Sequence, residues 1–401
     1  MKKSTLVFLL VLTLAFLVFL PACERATLPE NEGEAQAVLA PNSGSDAEAE
    51  AEREAETEGE KTFTITAVGD ILMHNTLLRA GYQPQLQTYD FSPFFAKVQP
   101  YFETSDFVIG NLETTLGKDF SEFGGYPRFN SPAILAEYLK EAGIDLVTTA
   151  NNHCLDKGIT GLNNTLDFLD EAGLLHVGTA RSREESENIL ITEIQGVKTA
   201  ILAYTYGTNG LIVPKGKEFA VNLLDEAQIF NDIVVARNFG AQLVIVCLHF
   251  GQEYSDYPNN EQKRLAETFL IAGADVILGC HPHVLQPSQV YYFEEDRAQF
   301  VIYSLGNFIS DQNGLPRKSS TILNLHFGIN ALTGEPYFKE ASYVPIWTRK
   351  KVINNKPRFE VLPIEETINK IEAGALPDFT LDEIQEIQEA WVHVTAYTQP
   401  L

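Results

Sequence analysis

The segment TFTITAVGDILMH, residues 62–74, marks the point where a polar, low-complexity sequence gives way to that of a folded domain. Apolar side chains recur at alternate positions along residues 63–67, which is typical of a β-strand. Gly69 and Asp70 follow directly, so a small residue and a carboxylate stand where the predicted strand ends. We therefore expect residues 62–74 to begin a sheet that carries a polar site at the end of its strands.

Similar strands recur along the chain, with helices between several of them. Strand-like apolar runs lie at residues 107–109, 146–149, 199–203, 243–248, 276–278 and 300–303. Helical patterns lie at residues 134–142, 162–172, 227–238 and 261–272. Strands that alternate with helices indicate an α/β domain. Residues 189–194 and 199–203, on either side of Gly196, are typical of a hairpin, so we expect mixed sheets.

Polar side chains that can bind metals stand at the ends of these predicted strands. Because open α/β sheets bind ligands beyond the carboxyl ends of their strands, we expect these side chains to meet at one site. In chain order they are Asp70 with His74 four residues later, Asn111 and Glu113, Asn152 and His153, His249, His281 and His283, and Asn307.

The donor types in this set favour a transition metal. Carboxylate, amide oxygen and imidazole donors suit Mn, Fe or Zn better than Ca or Mg alone. A carboxylate that bridges two such ions would hold a phosphate-like group and activate water for hydrolysis. The His-x-His spacing of His281 and His283 would place both rings on one face of an extended segment, where each reaches a different ion. The sequence therefore predicts two divalent metal ions.

Several of these residues also have a structural interpretation. Asn152 could cap the turn that follows it, and His74 could cap and face solvent instead of joining Asp70. Structural or surface roles are expected for the isolated histidines His176, His326 and His393. We interpret three cysteines as small buried core residues, with a soft ligand or a disulfide near the site as the alternative; they are Cys154, Cys247 and Cys280.

Seven motifs, taken in order, resemble those of the CapA family of bacterial capsule synthesis proteins. They are Val68-Gly69-Asp70-Ile71, Gly110-Asn111-Leu112-Glu113, Tyr126-Pro127-Arg128-Phe129-Asn130, Ala150-Asn151-Asn152-His153 with Asp156 and Gly158, His249-Phe250-Gly251-Gln252-Glu253-Tyr254, Gly279-Cys280-His281-Pro282-His283 and Ser304-Leu305-Gly306-Asn307-Phe308. The resemblance covers about residues 62–311. The family is associated with poly-γ-glutamate capsule synthesis and is similar to calcineurin-like metallophosphatases. It implies an α/β, metallophosphatase-like four-layer α/β/β/α sandwich with mixed sheets.

The resemblance also implies roles for individual residues. Asp70 and His283 would bind one ion, with Glu113 as the bridge. The other ion would be bound by Asn152, His249 and His281. His153 would contact the substrate as an acid outside the metal ligands, and Asp156 belongs with it to the catalytic set. Metallophosphatases usually have Asp-x-His at the first motif and Asp at the bridge, whereas this chain has His74, four residues after Asp70, and Glu113.

The substrate-binding candidates are charged or aromatic residues in loops close to the motifs. Arg128, Lys157 and Arg181 could receive a carboxylate or a phosphate, or could be solvated loop charges. Glu253 and Tyr254 could orient metal ligands or lie at the rim of the site. Residues 204–210 are predicted to form a loop at the mouth of the site.

The N-terminal sequence predicts export and anchoring. Lys2 and Lys3 precede an apolar run at residues 6–20, and Leu20-Pro21-Ala22-Cys23 resembles the lipobox at which lipoproteins are cut and acylated on the cysteine. An ordinary cleaved signal peptide is the alternative. We therefore expect an extracytoplasmic lipoprotein attached to the membrane through Cys23.

The predicted organisation has four parts. These are a lipoprotein signal peptide at residues 1–23, an acidic disordered tether at 24–61, a CapA-like domain at 62–312 and an extension at 313–401. The extension, with strands at 321–327, 336–344 and 358–362 and a helix that Thr380 caps and that ends near residue 394, would complete the domain or be appended to it.

Charge and motifs together leave two classes of function. The net charge of −25 disfavours nucleic acid as a partner. One class is a metal-dependent hydrolase or transferase that acts on a phosphoester or on the γ-glutamyl amide of an anionic polymer. The other is a non-catalytic, membrane-tethered component of a polymer synthesis and export complex. In both, an anionic polymer and the capsule-synthesis machinery are the expected partners.

Overall fold

The strand predicted at the start of the domain lies in the middle of a large sheet. The computed structural model describes residues 61–294 and 297–398, so the predicted signal peptide, Cys23 and nearly all of the tether lie outside the described residues. The described strands are β1 (Lys61–Ile71), β2 (Tyr82–Gln83), β3 (Thr88–Tyr89), β4 (Phe107–Leu112), β5 (Thr115–Gly117), β6 (Asn130–Pro132), β7 (Leu146–Thr148), β8 (Leu175–Val177), β9 (Ile191–Ile194), β10 (Val197–Thr205), β11 (Leu243–His249), β12 (Val276–Cys280), β13 (Leu285–Glu294), β14 (Arg297–Leu305), β15 (Asn307–Ile309), β16 (Ser319–Ile329), β17 (Pro336–Ile353) and β18 (Lys356–Pro363).

The helices lie mainly between the parallel strands. Those in the described residues are α1 (Asn75–Gly81), α2 (Ser92–Phe95), α3 (Gln99–Phe102), α4 (Leu135–Ala142), α5 (Gly158–Ala172), α6 (Arg183–Ser186), α7 (Glu226–Asn238), α8 (Asn260–Ile271), α9 (Leu315–Lys318), α10 (Ile364–Glu372) and α11 (Leu381–Thr395). Within that part of the chain, no helix combines the length and the apolar character needed to cross a bilayer.

Most of the described strands form two mixed sheets. The first has the order β18-β17-β16-β1-β4-β7-β8, and β15 pairs with β1 beside this path. In it β1, β4, β7 and β8 are parallel, while β16 to β18 are antiparallel. The second has the order β13-β14-β12-β11-β10-β9, with antiparallel strands at both edges. The antiparallel pair β9–β10 is the hairpin predicted around Gly196, and it confirms that the sheets are mixed.

Alternation along the strands produces four layers. Ile109 in β4 and Ile245 in β11 belong to one apolar cluster between the two sheets. Their neighbours Val108 and Val244 point to the opposite faces, because successive side chains of a strand alternate. Helices α1, α4 and α5 pack on the outer face of the first sheet, and α7 and α8 pack on the outer face of the second. The α/β/β/α sandwich predicted from the sequence is therefore confirmed.

The residues after position 312 continue the first sheet. β16 pairs antiparallel with β1, with Phe63 opposite Phe327, and β17 and β18 extend the sheet outward. Thr380 caps α11 in a capping box with Glu383, as the sequence predicted. One face of α11 contributes apolar side chains to the cluster between the sheets. The extension and the first strand thus share one sheet and one core.

The carboxyl ends of the central parallel strands carry the predicted polar residues. In the first sheet, Asp70 lies opposite both Asn111 and Asn307 in the strand register. In the second, His249 lies opposite Thr205 and Cys280. The two sheets therefore present their strand ends to one common site.

Candidate metal centre

Glu113 is the centre of the site. Its side chain is completely buried, and neither carboxylate oxygen has a hydrogen-bond partner among the described residues. Ligand atoms of Asp70, Glu113 and His249 all lie within 4.8 Å of one another. Burial raises the pKa of Glu113 well above its usual value, and the nearby charges of Asp70 and Glu253 raise it further. A buried carboxylate without a partner is unfavourable unless it is protonated or a cation lies beside it.

Asp70 and His283 lie on one side of Glu113. Asp70 accepts a hydrogen bond from Asn111 Nδ2 at 2.7 Å, and its other oxygen is 3.0 Å from His283 Nδ1. His283 Nδ1 is also 3.1 Å from Asn307 Oδ1. Because both neighbours of Nδ1 are acceptors, Nδ1 carries the proton and Nε2 keeps its lone pair. The Nε2 atom lies 3.9 Å from Glu113 Oε1. This is the tautomer that binds a metal through Nε2.

His249, Asn152 and His281 form the second group around Glu113. His249 Nε2 lies 2.8 Å from Asn152 Oδ1 and 3.7 Å from Glu113 Oε1. The rings of His249 and His281 are 4.9 Å apart, and His281 Nδ1 has no hydrogen-bond partner in the described part of the chain. Burial, then the neighbouring histidines, lowers the pKa of His249 well below its usual value and that of His281 to about 4. Both rings are therefore neutral at pH 7, as metal ligands must be.

The loop after β12 holds His281 and His283 in a conformation that the sequence did not predict. Their φ angles are 102° and 60°, in the left-handed region that residues with a side chain rarely adopt. The prediction of an extended segment with both rings on one face is wrong, because the backbone turns at each histidine. The two rings nevertheless lie 6.1 Å apart beside Glu113. Backbone strain of this kind persists only where the surrounding structure enforces it.

A cavity of about 440 Å³ opens in front of this centre. His153 and Asp156 lie in its wall, with His153 Nδ1 2.7 Å from Asp156 Oδ2. The same oxygen accepts a hydrogen bond from the backbone N–H of Phe129 at 2.6 Å. Asn209 Nδ2 lies 3.4 Å from His153 Nε2. Asp156 therefore fixes the orientation of the His153 ring and leaves Nε2 on the side of Asn209.

His74 lies in the cavity wall and does not take part in the contacts around Glu113. Its Nδ1 is 3.2 Å from the carbonyl oxygen of Leu72 and 3.3 Å from the backbone nitrogen of Asp311. Its ring meets Phe129 edge-on at 5.2 Å. The sequence left two interpretations of His74, a metal ligand or a helix cap. The structure shows no hydrogen bond from His74 to the proposed ligands, and its side chain does not cap α1. We therefore describe His74 as a cavity residue.

The predicted substrate-binding residues fall into two groups. Arg128, Glu253 and Tyr254 all line the cavity. Lys157 immediately precedes α5 and interacts with the charge of Asp119, and it does not line the cavity.

Arg181 is not available as an anion receptor. Its guanidinium pairs with Asp167 at 2.7 Å and with Asp170 and Glu185 at 2.6 Å each. Three carboxylates neutralise one guanidinium, so the prediction that Arg181 receives an anionic ligand is wrong.

The cysteines are structural. Cys154, Cys247 and Cys280 are buried free thiols, which confirms their interpretation as core residues. Cys280 lies in the cluster between the sheets, and burial together with the nearby charge of Asp70 raises its pKa well above the usual value.

Four further residues also shape the site, and two of them, Asn111 and Asn307, are among the strand-end residues that the sequence placed there. Asn111 donates a hydrogen bond to Asp70, and Asn307 Oδ1 lies 3.1 Å from His283 Nδ1. Asn209 contacts His153, and the ring of Tyr206 lies 4.5 Å from that of His281. The only sequence signal for these two was their place in the predicted mouth loop.

The fold is a four-layer α/β domain, and buried carboxylate, amide and imidazole groups lie together at the ends of its strands. This combination is typical of α/β proteins that have a metal site at their strand ends. Residues 64–312 match the family model described as "Bacterial capsule synthesis protein PGA_cap", and the chain belongs to that family.

Three curated relatives are similar in sequence. The "Capsule biosynthesis protein CapA" of Bacillus anthracis is 32% identical over 275 residues, which span 67% of this chain and 64% of that protein. The "PGA biosynthesis protein CapA" of Bacillus subtilis (strain 168) is 31% identical over 272 residues, 66% of this chain and 67% of that protein. A Mycobacterium tuberculosis protein described as "Probable polyglutamine synthesis accessory protein" is 27% identical over 229 residues, 53% of this chain and 57% of that protein. The chain thus matches less than two thirds of the B. anthracis protein.

Two solved structures are similar at low scores. The NAD nucleotidase NadN of Haemophilus influenzae has a TM-score of 0.45 and 14% identity, covering 82% of this chain and 62% of that chain. The calcineurin-like phosphoesterase YfkN of Bacillus subtilis has a TM-score of 0.43 and 15% identity, covering 82% of this chain and 99% of that chain.

Proposed function

We propose that this protein is a metal-dependent hydrolase or transferase that acts on a polymer of the bacterial capsule. The observation that carries the proposal is Glu113, a buried carboxylate with two unpartnered oxygens among Asp70, His249 and His283. A pair of divalent cations would offset the free energy lost by burying this carboxylate without a partner. His281 Nδ1 is also buried without a hydrogen-bond partner among the described residues, and it is a second atom that could bind a metal.

The donor set fits Mn, Fe or Zn. Asp70 and His283 would hold one ion and Asn152, His249 and His281 the other, with Glu113 between them. Mixed oxygen and imidazole donors suit these metals, and no thiolate takes part. When bound, two such ions polarise the scissile group and activate water.

The residues of the chain supply the remaining functions. His153, oriented by Asp156, would donate a proton from Nε2 to the leaving group. Arg128, a cavity residue, would bind an anionic part of the substrate.

Two considerations limit the kind of bond that this site would hydrolyse. Paired metal ions with an adjacent acid suit hydrolysis of a phosphoester or of an amide. The two Bacillus relatives are named for capsule and PGA biosynthesis. If the bond is an amide, these names favour a γ-glutamyl amide of a polymer as the substrate.

The second candidate function is a non-catalytic accessory role in polymer synthesis and export. It is favoured by the M. tuberculosis relative, whose name describes an accessory protein. In that case the metals would stabilise the fold or bind polymer, and the cavity would need no proton donor. The pair His153–Asp156 at the cavity therefore favours the catalytic proposal.

The experiment that separates the two functions compares two substitutions. His153→Ala should retain metal content and lose about 10²- to 10⁴-fold in turnover, because only a proton donor is removed. Glu113→Gln should lose both metal and turnover. Metal is measured by elemental analysis, and turnover with a phosphodiester, a phosphomonoester and poly-γ-glutamate, each with Mn²⁺.

His176→Ala is the matched control, because His176 bonds Asp170 on the protein surface and lies away from the cavity. If no substrate is cleaved, the polymer binds, and His153→Ala still supports capsule formation in cells, the accessory function is correct and the catalytic one is wrong.

We further propose that the protein is extracytoplasmic and anchored to the membrane by a lipid on Cys23. The lipobox-like sequence at residues 20–23 and the acidic tether at 24–61 support this proposal. The expected partners are the membrane, the capsule-synthesis machinery and an anionic polymer.

A further inference from the structure

The cavity in front of Glu113 contains one cation and one carboxylate that are both without an ionic partner. Arg128 and Glu253 line this cavity, and both side chains are exposed. Neither forms an ion pair with any residue that the structure describes. The other carboxylate in the cavity lining, Asp156, is engaged with His153 at 2.7 Å. Unpaired charges of opposite sign in one cavity are what a ligand carrying both charges would require.

Arg128 lies on a loop that is fixed at several points. Gly124 and Asn130 exchange backbone hydrogen bonds of 3.0 and 2.8 Å across its base. Gly125 N–H donates to Asn75 Oδ1 at 2.8 Å, and Phe129 N–H donates to Asp156 at 2.6 Å. A fixed loop lowers the entropy lost when the guanidinium binds an anion, and its planar fork matches carboxylate and phosphate groups.

Glu253 lies on the loop after β11, which is also held in place. Tyr254 N–H donates to the carbonyl oxygen of Pro282 at 2.8 Å. Gly251 has a φ of 101°, and a Cβ there would lie 2.6 Å from the side chain of Gln262, so only glycine fits. The carboxylate of Glu253 is thereby placed beside the loop that carries His281 and His283.

Tyr254, the residue after Glu253, also lines the cavity. Burial raises the pKa of the Tyr206 and Tyr254 hydroxyls, and the charge of Glu253 is the next cause for both. The Tyr206 ring is 47% exposed, so part of it faces solvent. Tyr254 is already covered by the Arg317 guanidinium, 4.7 Å from the ring centre, and Arg317 makes no ion pair with Glu253 among the described contacts. The ring face of Tyr254 is therefore occupied, and the carboxylate of Glu253 is the group in this cavity that can bind a protonated amine through charge-assisted hydrogen bonds.

A purely anionic substrate does not account for this arrangement. The carboxylate of Glu253 lines the cavity and would repel an incoming carboxylate or phosphate. The repulsion becomes attraction if the substrate places a protonated amine at that position.

We infer that the cavity binds a zwitterionic end group, with an anion at Arg128 and a protonated amine at Glu253. This inference rests on the proposed function in taking the cavity as the substrate site. It implies that the protein acts at the amine-bearing end of a chain, because an interior amide nitrogen carries no charge to pair with Glu253.

The test is a binding measurement that does not depend on turnover. The full-length protein, loaded with Mn²⁺, is titrated calorimetrically with tri-glutamate and with its N-acetylated form. Acetylation replaces the charged amine by a neutral amide with a small acetyl group, so it should weaken binding to the native protein about tenfold, the scale of a hydrogen bond between charged groups. Glu253→Gln should abolish the difference between the two peptides. Arg128→Gln should weaken both peptides to a similar extent.

Controls make the outcome decisive. Glu193→Gln removes an exposed carboxylate on β9, outside the cavity, and should leave the tenfold difference intact. Elemental analysis should show unchanged metal content in Glu253→Gln. Equal affinity for the two peptides in the native protein, no binding of either, or loss of metal from Glu253→Gln would each overturn the inference. Amine-dependent binding without hydrolysis of any substrate would instead count against the proposed hydrolase and leave the inference standing.

Discussion

At the scale of single residues, the protonation of Glu113 controls the site. Its raised pKa means that the folded, metal-free protein retains a proton that the unfolded chain loses above about pH 4.5. The stability that this proton provides is fully present at low pH. It is lost as the pH rises from 4.5 towards the raised pKa of the folded state. Metal binding would replace the proton, because a ligand carboxylate must be ionised.

This gives a prediction for the metal-free protein. As the pH rises from 5 to 8, the free energy of unfolding of the native protein should fall relative to that of Glu113→Gln, because the buried carboxyl loses its proton and the amide has none to lose. Thermal and urea unfolding in the presence of a chelator measure the difference. Adding Mn²⁺ at pH 8 should raise the Tm of the native protein more than that of the variant.

The surface substitution Glu193→Gln serves as the control and should follow the native pH dependence. Parallel pH profiles for the native protein and Glu113→Gln would show that Glu113 is not the buried group that titrates.

At the scale of elements, α11 shows a local sequence signal with a consequence in the core. Thr380 Oγ1 accepts a hydrogen bond from Glu383 N–H at 3.2 Å, and Glu383 Oε2 accepts one from Thr380 N–H at 2.9 Å. Ile387 and Val394, further along α11, are completely buried in the cluster between the sheets. The cap therefore stabilises the first turn of a helix that contributes to the main core.

Removing the cap should have a moderate, measurable effect. We expect Thr380→Ala to lower the free energy of unfolding by about 1 kcal/mol, since a backbone N–H loses its partner. Thr380→Ser keeps the hydroxyl and should remain close to the native value. Urea unfolding followed by circular dichroism measures both. Equal stability of the Ala and Ser variants would mean that the capping box contributes nothing.

The helix α5 shows where such local signals fail. Its apolar periodicity predicted a start at residue 162, but the helix begins at Gly158. The first turn carries little apolar periodicity, since it contains Gly158, Thr160 and Gly161. Ile159 is the one large apolar side chain of this turn, and a single apolar residue shows no period, so periodicity places the start of the helix too late.

At the scale of the whole molecule, the proposed lipid anchor and the candidate site lie in different parts of the sequence. Every residue proposed to bind metal or substrate lies between positions 70 and 283, whereas the proposed lipid attachment is at Cys23. The segment between Cys23 and the described residues is rich in acidic residues. Under the proposal, a change at Cys23 should therefore affect membrane attachment without changing the residues that bind metal or substrate.

The anchor is tested by one substitution. Cys23→Ala should leave the protein uncut or release it from the membrane fraction, because the acylated side chain is missing. Metabolic labelling with a fatty-acid analogue and cell fractionation measure the two effects. Cys247→Ala is the matched control, since that thiol is buried in the core and should not affect labelling. A label retained by Cys23→Ala would refute the assignment.

The sequence by itself determined the layers of the fold and most of the centre of the site. Alternation along residues 63–67, and the polar residues directly after each apolar run, are local patterns. They were sufficient to predict an α/β domain with mixed sheets and to include Asp70, Glu113 and His249 among the polar residues at one edge, because strand ends in a parallel sheet share that edge. The four layers were predicted from the resemblance of the motifs to those of the CapA family.

Only the tertiary structure decided which loop residues reach the site. Arg128 and Arg181 looked equivalent in sequence, yet the first lines the cavity and the second is neutralised by three carboxylates. Asn209 meets His153 across 56 residues of chain. The left-handed turns at His281 and His283 likewise have no local signal in these residues. Contacts of this kind depend on how the packed sheets bring distant loops together, and side-chain periodicity carries no information about that packing.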